Sequence, residues 1–161
     1  MRMGSEMSQA GVLGIAVASL IALAPALAAD SAFGSLAGSW GGSGTVKYTD
    51  GSTEKMRCSA RYSDGASDMS LSIKCSSSAH NIDLSGRLHA NGGRVSGDWS
   101  ESNFGLSGSA SGRASAGRLS ISLGGGVSGL MSVSYSGSHQ EVAISVEGVA
   151  LNSVNMSLGK H

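Results

Sequence analysis

Apolar and polar residues alternate in short segments along most of the chain after Gly34, and turn-forming clusters separate these segments at a spacing of about 10 residues. Such alternation places apolar side chains on one face of a β-strand and polar side chains on the other. The clearest segment carries apolar residues at every second position: Met69, Leu71, Ile73 and Cys75. The pattern predicts a single antiparallel, all-β domain.

The connections between the segments are short. Asp50-Gly51 and the run Asn91-Gly92-Gly93 suit tight reversals, because glycine accepts the positive φ that a hairpin turn demands. We therefore expect about eight to ten strands in an up-and-down meander. Closure into a barrel is favoured, because a neutral, serine-coated sheet lacks the edge charges that discourage aggregation. Glycines at inward positions suit the bending of a small barrel: Gly86, Gly97 and Gly108.

Two other all-β architectures stay open at this point, a β-sandwich and a short β-solenoid. Similar triplets, Leu84-Ser85-Gly86, Val95-Ser96-Gly97 and Leu106-Ser107-Gly108, recur at a constant spacing, and regular repeats are typical of solenoids. The recurrence stops after these copies, and the intervening Asn91-Gly92-Gly93 suits a chain reversal better than a continuing coil. The barrel is therefore the preferred prediction.

Residues 1–28 have the pattern of a cleavable signal peptide. Arg2 precedes an apolar run over residues 10–24, and Ala26-Leu27-Ala28 fits the small-residue rule for cleavage after Ala28. The apolar run is shorter than the roughly 20 residues that span a bilayer. We expect a mature all-β domain over residues 29–161, without a transmembrane segment, in the periplasm or outside the cell.

The chain contains two cysteines. If Tyr62 faces Leu71 across a hairpin, then Cys58 faces Cys75 in the same register. In an exported chain such a pair is expected to be oxidised. The bond closes a loop of about 17 residues and is worth roughly 3 kcal/mol by the chain-entropy estimate. The alternative is a pair of reduced core thiols.

Charge and aromatic content restrict the partners. Lys and Arg together number 11, as do Asp and Glu, so the net charge is zero, whereas a nucleic-acid footprint needs a basic excess. The aromatic content of 4% is also low for base stacking or for the aromatic girdles of an outer-membrane barrel. We expect a monomer that does not bind nucleic acid.

The sequence predicts no catalytic residue, metal ligand or cofactor. A hydrolase needs a nucleophile, a base and an orienting group, and serines near His80, His89 or His139 are expected by chance in so serine-rich a chain. A Gly-x-Ser-x-Gly elbow between a strand and a helix is absent from the sequence. The histidines and cysteines do not show metal-ligand spacing.

Candidate binding residues are Trp40, Arg57, Trp99 and Glu101. Glu101 shares the inward parity of Trp99, so its carboxylate heads into the barrel or its mouth. A buried carboxylate needs a cation or several hydrogen-bond donors, and Arg57 and Arg61 are candidate partners across the sheet. Glu101 is either an acid that orients a ligand or a strand-end residue in water or a salt bridge. The two tryptophans are either plugs at the barrel ends or ligand platforms.

Three segments, residues 38–46, 57–62 and 96–101, resemble a family of small exported alphaproteobacterial proteins of unknown function. Gly38-Ser39-Trp40 is similar to the Gly-x-Trp that closes one end of calycin-type barrels, which include lipocalins, avidins and periplasmic inhibitors of secreted metalloproteases. The resemblance implies a barrel that binds a small ligand or a protein. Such inhibitors use an N-terminal trunk, for which this chain offers only residues 30–34.

These observations predict a non-enzymatic binding module of the bacterial envelope, with a small ligand or an envelope protein as its partner. Two alternatives accompany this prediction: an inhibitor of a periplasmic or secreted hydrolase, and a structural component of a surface or matrix.

Overall fold

The computed structural model describes residues 32–64 and 67–161. The signal peptide expected over residues 1–28 lies outside the described residues and stays a prediction. A short 3-10 turn, Gly34–Leu36, precedes ten strands. The strands are β1 (Gly38–Tyr48), β2 (Thr53–Asp64), β3 (Asp68–Ser76), β4 (Asn81–Asn91), β5 (Arg94–Glu101), β6 (Leu106–Ser115), β7 (Arg118–Gly125), β8 (Ser128–Ser136), β9 (His139–Glu147) and β10 (Leu151–Lys160).

The strands form a closed barrel. Each strand pairs antiparallel with its neighbours in the chain, and β1 also pairs with β10, from Trp40 opposite Lys160 to Tyr48 opposite Leu151. The predicted all-β meander and its closure are confirmed, and the sandwich and solenoid alternatives are wrong. A sandwich has unpaired edge strands, whereas the first and last strands of this barrel pair with each other. A solenoid coils its strands in parallel, whereas every strand pair here is antiparallel.

The hairpin between β2 and β3 has the register expected from the sequence. Tyr62 pairs with Leu71, and Cys58 pairs with Cys75. The two cysteine side chains point into the core, and their Sγ atoms form a disulfide. The predicted cysteine pairing is therefore confirmed.

Inward-pointing side chains fill most of the barrel, and every strand contributes buried apolar residues. Some inward positions have room for a hydrogen atom only. A Cβ at Gly97 would collide with the carbonyl oxygen of Arg87, and one at Gly108 with that of Gly124. Glycine is therefore required where the neighbouring backbone lies this close, which agrees with the expected role of these glycines in bending the sheet.

One end of the barrel, where β1 begins, is closed by the residues that precede β1; we call it the closed end. Phe33 and Leu36 are fully buried there. Trp40 Nε1 donates a 2.9 Å hydrogen bond to the Leu36 carbonyl oxygen, and Lys160 Nζ lies 5.1 Å from the Trp40 ring centroid. Lys160 Nζ also donates to the Ser35 carbonyl oxygen at 2.8 Å. The opposite end, where β1 finishes, is the open end.

Candidate binding site at the open end

An apolar cavity of about 70 Å³ lies inside the open end. Strands β4 to β7, β9 and β10 contribute its walls together with open-end turns, and the side chains used below are Trp99, Glu101, Phe104, Val149 and Leu151. The lining that a ligand would touch is apolar throughout. The cavity is thus an interior space of the barrel that aliphatic and aromatic groups leave unfilled.

The position of the cavity follows from the parity of the strands. Leu84 and Trp99 belong to the inward-pointing residues near the open-end termini of β4 and β5. Trp99 is 6% exposed, and its Nε1 donates a 3.1 Å hydrogen bond to the Gly124 carbonyl oxygen. This bond holds the indole against β7, so that its ring forms part of the cavity wall.

Glu101 ends β5 and is 7% exposed. Its Oε1 accepts hydrogen bonds from the Asp83 backbone nitrogen at 2.7 Å and from Asn103 Nδ2 at 3.4 Å. Its Oε2 accepts one from the Phe104 backbone nitrogen at 2.6 Å. The carboxylate therefore anchors the turn at residues 102–105 to β4. That turn carries Phe104, which is 48% exposed at the cavity rim.

The candidate partnership of Glu101 with Arg57 and Arg61 is wrong. Both arginines lie on the outer face of β2 and are exposed, and β3 and β4 separate β2 from β5. Backbone N–H groups supply the donors that the buried carboxylate needs, so it requires no cation.

The other candidate residues lie in separate parts of the molecule. Trp40 is 1% exposed and packs in the closed end. Arg57 borders an open groove on the outer wall, beside Lys74 and Asp83, whose side chains form an ion pair at 3.1 Å. Only Trp99 and Glu101 come together, at the cavity. A role in binding remains a prediction for all four candidates.

Sequence reasoning missed a polar cluster on the other side of the open end, made by Tyr48, Glu54, Ser77 and His80. The Tyr48 hydroxyl donates to Glu54 Oε2 at 2.8 Å, and His80 Nδ1 lies 2.8 Å from the same oxygen. Ser77 Oγ donates to Glu54 Oε1. The inward parity that Tyr48 and Glu54 share with the core residues of their strands was the signal available in the sequence.

Hydrogen bonds explain the ionisation of this polar cluster. Donation from Ser77, then from Tyr48 and His80, lowers the pKa of Glu54 from 4.5 to about 2. Burial, followed by the bond to Glu54, raises the pKa of Tyr48 to about 12. Ser77 donates to the carboxylate and accepts from the backbone nitrogens of Ala79 and His80. The Ser77 hydroxyl thus closes the turn at residues 77–80 through backbone atoms, and no bond joins it to the imidazole of His80 as in a hydrolytic triad.

Among residues 32–64 and 67–161, no group of three or more His, Cys, Asp or Glu side chains is placed to hold a metal ion. His80 precedes β4 at the open end, whereas His89 lies near the other terminus of β4 and pairs with Asp68 at 2.8 Å. The same part of the chain contains no helix of the length and hydropathy needed to cross a membrane.

No family model and no curated protein matches this chain. Among solved structures it is similar to Rv2717c from M. tuberculosis, with a TM-score of 0.66 and 16% sequence identity over 79% of this chain and 93% of that chain. At this identity, the similarity shows that the two proteins share a fold.

Proposed function

We propose that this protein is an exported, non-enzymatic binding module that takes the apolar part of a small ligand at its open end. The observation that carries the proposal is the cavity beside Trp99, whose accessible surface is apolar even though Glu101 is one of its lining residues. Apolar cavities of proteins commonly stay dry and accept apolar guests, because water inside them lacks hydrogen-bond partners. Transfer of an apolar group from water into this space is favourable.

The size of the cavity indicates which part of a ligand enters it. Small-molecule sites typically measure about 300–1,000 Å³, whereas this cavity measures about 70 Å³. It therefore takes the end of an alkyl chain or a small branched group. Phe104, half exposed at the rim, offers apolar surface to the next part of the chain.

An exported location agrees with the disulfide between Cys58 and Cys75, because disulfides persist in the periplasm and outside the cell. The mature chain is then proposed to bind its ligand in the bacterial envelope.

The test uses Trp99 as a reporter. The chain has two tryptophans, so Trp40→Phe leaves only the indole at the cavity. We expect 10-bromodecan-1-ol to quench the emission of this variant in a saturable way, because a bromine atom at the chain end reaches the Trp99 ring. Unbrominated decan-1-ol should relieve the quenching. In Trp99→Phe the remaining indole lies in the closed end, and its emission should stay constant.

A pair of matched variants links quenching to the cavity. Val149→Phe enlarges a half-buried side chain that lines the cavity and so fills part of the cavity. Leu130→Phe enlarges a side chain that is 60% exposed on the outer wall. We expect Val149→Phe to weaken binding at least about tenfold, the equivalent of about 1.4 kcal/mol, and Leu130→Phe to leave it unchanged. Equal binding by both variants, or no quenching in the Trp40→Phe protein, contradicts the proposal.

A further inference from the structure

Three exposed arginines lie close together on the outer wall, near the closed end. Arg94 begins β5, Arg113 lies near the end of β6, and Arg118 begins β7. Arg94 and Arg113 are direct register partners, and Arg118 pairs with Ser115, two residues beyond Arg113. We call these three residues the arginine patch.

The patch lacks compensating acids. Ion pairs of the described residues involve Lys74, His80, His89 and His139, and in this part of the chain no arginine lies within 4.0 Å of a carboxylate. The outward acid on β5 is Asp98, which pairs in register with Arg87 on β4, whereas Glu101 is buried at the open end. Like charges directly opposite each other on two strands destabilise a sheet, and arginine cannot relieve the repulsion by losing its proton. Folding alone does not account for the pair formed by Arg94 and Arg113.

The surroundings of the patch indicate the chemistry of its partner. The outward residues that flank the arginines on β5 to β7 are serines: Ser96, Ser111, Ser115 and Ser120. Short hydroxyl groups leave the guanidinium groups accessible and can exchange hydrogen bonds with hydroxyl groups of a ligand. The outward residues of β5 to β7 in this stretch include no aromatic or aliphatic side chain, and the turn between β6 and β7 exposes only the methyl group of Ala116. No side chain here is suited to stack on a base or enter a bilayer. The surface is therefore suited to a hydrophilic, polyvalent anion.

We propose that the arginine patch binds a polysaccharide that carries repeated anionic groups. Guanidinium groups pair in a bidentate manner with sulfate, phosphate or carboxylate oxygens, and the serines accommodate the sugar hydroxyls between those groups. A bound anionic group offsets the electrostatic repulsion between the guanidinium groups of Arg94 and Arg113, and this relief contributes to the free energy of binding. This site is independent of the open-end cavity.

The experiment measures binding of the purified protein to short-chain, fluorescein-labelled dextran sulfate by fluorescence anisotropy at low salt, with neutral dextran as a control ligand. Arg94→Ser/Arg113→Ser is compared with Lys55→Ser/Arg61→Ser. The second pair removes the same charge from two exposed positions on β2. We expect the patch variant to lose at least about tenfold in affinity and the β2 variant less than about twofold.

Three outcomes overturn the proposal. Equal losses in the two variants would assign binding to the overall charge of the protein. Binding to phosphatidylglycerol vesicles without binding to dextran sulfate would assign the patch to a membrane surface. A lower melting temperature in the patch variant would assign the arginines a structural role, whereas we expect an unchanged or higher one because a repulsive pair is removed. None of these results bears on quenching at Trp99.

Discussion

The closed and open ends of the barrel are built by the same meander of strands, but they are filled differently. At the closed end, large rings and the turn Gly34–Leu36 occupy the interior, and the Tyr135 hydroxyl donates to the Phe33 carbonyl oxygen at 2.7 Å. At the open end, aliphatic side chains surround Trp99 and leave a cavity. Pairing the strands into a closed barrel therefore does not by itself fill the barrel ends. Filling an end depends on the volume of the side chains that lie there.

Buried polar groups mark the same difference. At the closed end, Gln140 is fully buried; its Oε1 accepts a 3.0 Å hydrogen bond from the Tyr62 hydroxyl, and its Nε2 has no partner within the described residues. Burial raises the pKa of Tyr62. At the open end, the Glu101 carboxylate accepts from two backbone nitrogens. The closed end therefore buries a polar pair of side chains inside the packing, whereas the open end uses bonds between a carboxylate and the backbone to hold a turn.

The largest effect is expected for tryptophan truncation at the closed end. Trp40→Ala removes a ring that is 1% exposed and hydrogen-bonded to Leu36, and we expect a loss of about 3–5 kcal/mol in the free energy of unfolding. Trp99→Ala should cost less, because its ring already borders a cavity. Urea unfolding of both variants measures the difference. An equal or larger loss in Trp99→Ala would remove the energetic distinction between the ends.

A smaller effect is expected for Glu101→Gln. Glutamine offers one acceptor oxygen where the carboxylate offers two, so the backbone nitrogen of Asp83 or Phe104 faces an amide NH₂ group. We expect a loss of about 1–3 kcal/mol, measured by urea unfolding at neutral pH. Glu147→Gln is the matched control, because Glu147 is exposed at the end of β9. A loss no greater than that of the control would show that Glu101 does not hold the turn.

The smallest effect concerns pH and the polar cluster. Since the pKa of Glu54 is lowered from 4.5 to about 2, its contribution to stability is fully present above about pH 4.5 and is lost as the pH falls through about 2. Glu54→Gln should therefore have a lower urea midpoint than the wild type at pH 7, and this difference should shrink between pH 4.5 and pH 2.

The midpoint of Glu147→Gln, measured over the same pH range, serves as the reference for removal of an exposed charge. If the difference in urea midpoint between Glu54→Gln and the wild type stays constant down to pH 2, the lowered pKa of Glu54 is contradicted. The bonds from Ser77, Tyr48 and His80 would then not be what stabilises the charged form of Glu54.

The parts of the fold that were predictable depend on local patterns. Strand parity and turn residues are encoded over a few neighbouring positions, and a hairpin register follows once one pair is set, which is why Cys58 was correctly placed opposite Cys75. The bonds of Glu101 were not predictable in the same way. Its donors are backbone nitrogens, which every residue carries, so side-chain chemistry in the sequence pointed instead to Arg57 and Arg61.

The sequence by itself determined the all-β meander, the inward set of each strand and the disulfide partners, because these follow from a two-residue period and from short turns. Only the tertiary structure decided which end is filled, where a cavity remains, and that Arg94 faces Arg113 across the sheet. Those features depend on side-chain volumes summed over many strands and on registers of separate hairpins, which no local pattern specifies.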